Sequence, residues 1–125
     1  TSEDSPASIQ TVVAYRYRSE GIVVYLVLAD RAGKQTSADG QVTLLMKDRD
    51  TGTVYYRTSR RVYASEFIMA QVGNSPFSQR RLVYSFDLIP YSAFDRLAQG
   101  ATIQVSVVFD VDGGLILRGE TLVTD

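Results

Sequence analysis

An all-β domain is the architecture this sequence predicts: two antiparallel sheets packed as a sandwich, about seven strands, and one short crossover helix. Three observations predict it. Apolar residues recur at every second position along most of the chain, the period of a strand with one buried and one wet face. Turn residues interrupt these runs roughly every ten positions. The chain has 125 residues, 45% apolar and 22% charged, which suits one soluble domain with its own core.

The first eight residues, TSEDSPAS, are small and polar and read as a flexible linker or tail; residues 9–125 form the single domain. SIQTVVAYRYR, near residues 9–18, is β-branched and aromatic and makes the first strand. SEG (19–21) turns it into GIVVYLVLAD (21–30), which is apolar on both faces. Ile22, Val24, Leu26 and Leu28 form one row, with Val23, Tyr25, Val27 and Ala29 the other. That pattern marks a central strand covered on both sides, or a strand with one row against a partner. RAGKQTSADG (31–40) is a long polar connection. In GQVTLLMKD, Val42, Leu44 and Met46 oppose Thr43, Leu45 and Lys47. DRDTG (48–52) is a hairpin turn with Gly52 free to take positive φ, leading into TVYYRTSRRVY (53–63).

MAQVGNSPFSQ (69–79) reads as a loop because of Gly73, Asn74 and Pro76. In RRLVYSFDLI, Leu82, Tyr84, Phe86 and Leu88 share the core face, against Arg81, Val83, Ser85 and Asp87. PYSAFDRLAQG (90–100) breaks the strand period. Pro90 ends a strand, Ser92 caps a helical turn, Phe94 and Leu97 share a face, and Gly100 closes it. In ATIQVSVVFD, Ile103, Val105, Val107 and Phe109 face the core, and DGG (112–114) turns the chain into LILRGETLV. A closed barrel is the alternative to the sandwich.

Composition excludes several chemistries. There is no His and no Cys, so the usual general base, thiolate metal sites, a Cys nucleophile and disulfides all drop out. Phosphate-loop, nucleophile-elbow and zinc-protease motifs do not occur. Glu66, Asp87 and Asp95 lie near aromatic segments, but a glycosidase needs two carboxylates facing each other in a cleft. The expectation is a non-catalytic domain without a cofactor. Asp48 and Asp50 in one turn, and Asp110 and Asp112 in another, are secondary calcium candidates. Hairpin-turn use explains them first, and four carboxylates would converge only if both turns lay at one end.

The candidate binding residues are Arg57, Arg60 and Arg61, with Tyr55, Tyr56 and Tyr63 as stacking partners and Arg80 and Arg81 nearby. Arg interleaved with Tyr suits a protein partner, a polyanion or a saccharide. On a strand, Tyr55, Arg57, Ser59 and Arg61 share one face, and Tyr56, Thr58 and Arg60 the other. The cluster rejoins only at a sheet edge, where Arg also guards against edge-to-edge pairing. Basic and acidic residues number 13 and 14, which argues against dedicated nucleic-acid binding. No apolar run is long enough for a helical membrane span.

The runs GQVTLLMKDRDTGTVYYRT, Phe67, LVYSFDLIPYSAF and TIQVSVVFDVDGG resemble an immunoglobulin-like or fibronectin type III-like accessory module of secreted or cell-envelope prokaryotic proteins. The resemblance is one of rhythm and spans residues 9–123; the Cys–Trp–Cys core of immunoglobulin domains is absent. It implies an extracytoplasmic interaction or adhesion module within a larger protein. A structural spacer is the alternative, followed by a carbohydrate-binding module or a small enzyme.

Overall fold

The computed structural model describes residues 6–72, 79–94 and 100–123. Its strands are β1 (Ser8–Tyr17), β2 (Gly21–Ala29), β3 (Gln35–Thr36), β4 (Gly40–Asp48), β5 (Val54–Val62), β6 (Ile68–Val72), β7 (Gln79–Pro90), β8 (Ile103–Val111) and β9 (Ile116–Val123). One sheet runs β1-β2-β7-β6, with β3 added to β2; the other runs β5-β4-β8-β9. Every pairing is antiparallel. The predicted sandwich is therefore the fold, with nine described strands instead of seven.

The two extra strands sit where the sequence reads as loop. β3 has only two residues inside the polar connection, too few to show a period. Gln35 helps hold it there, its side-chain oxygen accepting the Leu82 N–H at 2.7 Å. β6 falls inside the predicted loop because the Gly and Pro signals that follow it overshadow five residues of weak alternation. The sequence also predicts a crossover helix that is not found among the described residues. A single 3-10 turn, Tyr91–Ala93, takes its place, and Pro90, not Ser92, stands at its N-cap. Buried Phe94 then returns to extended backbone, packing 5.7 Å from the Tyr56 ring and 6.2 Å from Tyr91. Asp95 and Leu97 lie outside the described residues. At the N-terminus, the Ala7 N–H already bonds the Ala29 carbonyl at 2.8 Å.

The main core lies between the sheets. Ile22, Val24, Leu26 and Leu28 of β2 meet Val42, Leu44, Met46, Val105, Val107 and Phe109 of the facing sheet. The other row of β2 is covered too: Val27 is fully buried in a small second cluster with Val72 and Val83. β2 is a central strand, as its double apolar pattern implies.

β-Bulges decide what faces this core. On β7, Val23 pairs Leu88 while Tyr25 pairs Ser85, so Phe86 and Asp87 share one place opposite Val24. Asp87 absorbs the extra residue at φ 62°. The alternation inverts beyond it: Leu88 turns outward at 39% exposure, and Ile89 enters the core. The simple period-two expectation for Leu88 is thus reversed. On β5, Met46 pairs Tyr56 and Lys47 pairs Val54, leaving Tyr55 as the extra residue.

Among the described residues, one side of the sandwich is closed by direct strand packing. β1 packs directly on β9. Gly119 makes this possible, since a Cβ there would stand 2.8 Å from Ile9 Cγ2 and 3.1 Å from Val12 Cγ2. No comparable packing joins β5 to β6 among the described residues.

Candidate functional site

The arginine-rich strand β5 ends its sheet, so its outer edge is reachable. Arg57, Ser59 and Arg61 lie opposite Leu45, Thr43 and Gln41 on the outer face. Thr58 and Arg60 lie opposite Leu44 and Val42, on the face toward the other sheet. Each arginine has a different environment. Arg60 is half-buried, its guanidinium 5.5 Å from the Phe86 ring centre across the sandwich. Arg61 forks onto both carboxylate oxygens of Asp112, with Nη1–Oδ1 at 2.8 Å, and also stacks 5.5 Å from the Tyr63 ring. Arg57 is exposed and makes no hydrogen bond or ion pair among the described residues. Arg80 and Arg81 belong to the other sheet, on β7 opposite Gln71 and Ala70 of β6.

The predicted tyrosines divide likewise. Tyr63 is 51% exposed, and Tyr56 is half-buried against Phe94. Tyr55 is 3% exposed and donates its hydroxyl to Asp48 Oδ2 at 2.6 Å, so it offers no ring to a ligand. The β5 bulge is the cause, and it separates Tyr55 from the face of Arg57.

β6 follows β5 after the short connection 63–67. It pairs with β7 and ends the sheet. Its sequence IMAQV carries no charge, and Ile68 and Met69 are 57% and 52% exposed. From Thr51 to Phe86 the chain holds five arginines and one acid, Glu66, although its overall net charge is −1. The Glu66 carboxylate accepts the Tyr63 N–H. An uncharged end strand of one sheet thus follows the basic end strand of the other.

The acidic turns do not converge. Asp48 pairs Ile103 while Gly40 pairs Val111, so the two turns sit at opposite ends of β4, about 27 Å apart. Asp48 is spent on its own turn: Oδ1 accepts the Asp50 and Thr51 N–H groups at 2.8 and 3.1 Å, and Oδ2 accepts Tyr55. The Tyr55 hydroxyl, followed by these N–H groups, holds the Asp48 carboxyl below its ordinary range. Asp112 serves Arg61, while Asp50 and Asp110 remain exposed. Among the described residues, no group of three or more acidic side chains is placed to hold a metal ion.

One surface group was only half legible in the sequence. Tyr15 and Tyr17 share the outer face of β1, as period two requires, and Tyr25 of β2 joins them. The Tyr15 and Tyr25 rings lie 6.2 Å apart, and Arg18 stands 5.0 Å from the Tyr17 ring. Burial, and then a hydroxyl hydrogen bond with Tyr25, push Tyr15 up to about 12. Reading this trio requires the β1–β2 register, with Val13 opposite Tyr25. The outer face of the other sheet is a polar ladder instead. Gln41 donates to Ser59 at 3.0 Å and Gln104 to Glu120 at 2.8 Å. One depression on this face is lined by Ser106, Val108, Arg118 and Glu120.

No helix among the described residues is long and apolar enough to cross a membrane. Compared with protein-family models, curated proteins and solved structures, the chain matches none.

Proposed function

We propose that the chain is a non-catalytic interaction or adhesion module of a larger extracytoplasmic protein, with its contact surface on the end strands β5 and β6. One observation carries this reading: β6, an end strand with Ile68 and Met69 more than half exposed, is joined by the short connection 63–67 to β5, the end strand that carries the arginines. Exposed apolar groups rimmed by charge mark protein contact sites. The immunoglobulin-like resemblance supports it. Strand orders β1-β2-β7-β6 and β5-β4-β8-β9 follow the A-B-E-D and C′-C-F-G arrangement of such sandwiches.

The test places Met69→Lys in the native protein and quantifies what co-purifies. Loss of a defined partner set, with that set retained by Leu122→Lys on the polar-ladder face, is the expected result. Identical partners for both variants would leave the spacer role instead. A second reading, saccharide binding, is favoured by the Tyr15, Tyr17 and Tyr25 group alone. It requires binding to a saccharide array that Tyr17→Ala removes.

A further inference from the structure

We infer that the partner docks as an extended acidic–apolar segment, added as a fifth main strand on the outer edge of β6, which pairs with no other strand than β7 among the described residues. This rests on the reading of the β5/β6 side as the interaction surface and specifies what occupies it. A strand that ends a sheet presents a row of backbone groups to any extended chain, and charge, shortness or cover normally guards it. The four end strands are guarded differently. β1 and β9 pack on each other and close their side. β5 carries Arg57, Arg60 and Arg61. β6 has no charged residue and shows an apolar side chain on each face, Ile68 and Met69. An added strand with apolar residues at alternate positions would cover one of these rows.

Charge selects the class of segment. Arg57 has no carboxylate partner among the described residues, and Arg60 is placed over a ring. Arg80 and Arg81 sit one strand in from the β6 edge, about 4.8 Å away. Carboxylates on the incoming strand would meet this field. A second copy of the chain would bring two such arginine sets together, which like-charge repulsion opposes. A sulfated polysaccharide would use the arginines but leave Ile68 and Met69 uncovered.

The experiment is an amide-resolved NMR titration of the full chain with a short peptide alternating Glu and Val. A Lys–Val peptide and a heparin-derived oligosaccharide serve as comparisons. Saturable shifts and slowed hydrogen exchange are expected at Ile68–Val72, with the Glu–Val peptide only. Met69→Lys should weaken binding about tenfold, and Arg57→Glu by a similar factor, while Leu122→Lys changes nothing. Shifts confined to the Tyr15, Tyr17 and Tyr25 face would overturn the inference. So would oligosaccharide binding that ignores Met69→Lys, or self-association through β6. If the Glu–Val peptide fails while Met69→Lys still strips partners from the native protein, the strand-addition inference falls and the interaction reading stands.

Discussion

Asp48 shows how one residue can be legible in kind and hidden in detail. Its place in DRDTG marks a hairpin turn, and the structure spends Oδ1 on that turn. The Tyr55 hydroxyl on Oδ2 could not be read, because it depends on a bulge that strict alternation does not reveal. Tyr55→Phe should lower Tm at neutral pH. The sign of the pH effect follows from the depressed carboxyl. Its contribution is complete above the ordinary value of 3.8 and is lost as pH falls below that through the depressed one. The Tm gap between Tyr55→Phe and the parent should therefore narrow below pH 3.8, and a pH-independent gap would refute the assignment. Tyr15 has the opposite sign. Its raised value stabilises the fold below pH 10.0, and the contribution fades as pH climbs toward about 12. Ultraviolet titration should show Tyr15 ionising late, and Tyr25→Phe should move that step earlier.

At the scale of elements, the alternating runs marked the long strands, and the hairpin pairings β1–β2, β4–β5 and β8–β9 followed from turns the sequence displays. What escaped was set by single extra residues. Asp87 in left-handed backbone turns Leu88 out and Ile89 in, and nothing in RRLVYSFDLI announces it. Asp tolerates that backbone, whereas a β-branched residue does not. Asp87→Val should cost about 1–2 kcal/mol in urea denaturation, with Asp87→Gly close to neutral. Equal stability of the two variants would contradict the bulge. Gly119 is the second example. It reads as an unremarkable residue in LILRGETLV, yet its missing Cβ lets β1 lie on β9. Gly119→Val should cost about 1–3 kcal/mol by overpacking, read as a lower urea midpoint. An unchanged midpoint would mean that this side is not held closed there.

Across the whole molecule, the fold class was legible and the order of the strands within each sheet was not. Sandwich architecture follows from period and turn spacing, which are local. Which strand ends a sheet depends on strand order, and strand order depends on pairings between distant segments. Strand alternation already divides the arginines of TVYYRTSRRVY between two faces. In the structure they divide: Arg61 holds Asp112, Arg60 covers Phe86, and Arg57 points from the outer face. They lie on the strand that precedes β6, a segment read largely as loop from sequence. Gly119 lets β1 and β9 close one side, and among the described residues no comparable packing joins β5 to β6.

Photo-crosslinking in the native cell probes this most directly, with a photoreactive residue placed in turn at Met69, Tyr17 and Leu122. A contact surface on β6 predicts protein adducts from Met69 that Arg57→Glu removes, and none of comparable yield from Leu122. Adducts from Tyr17 or Leu122 with none from Met69 would contradict it, and would move the contact surface to a sheet face.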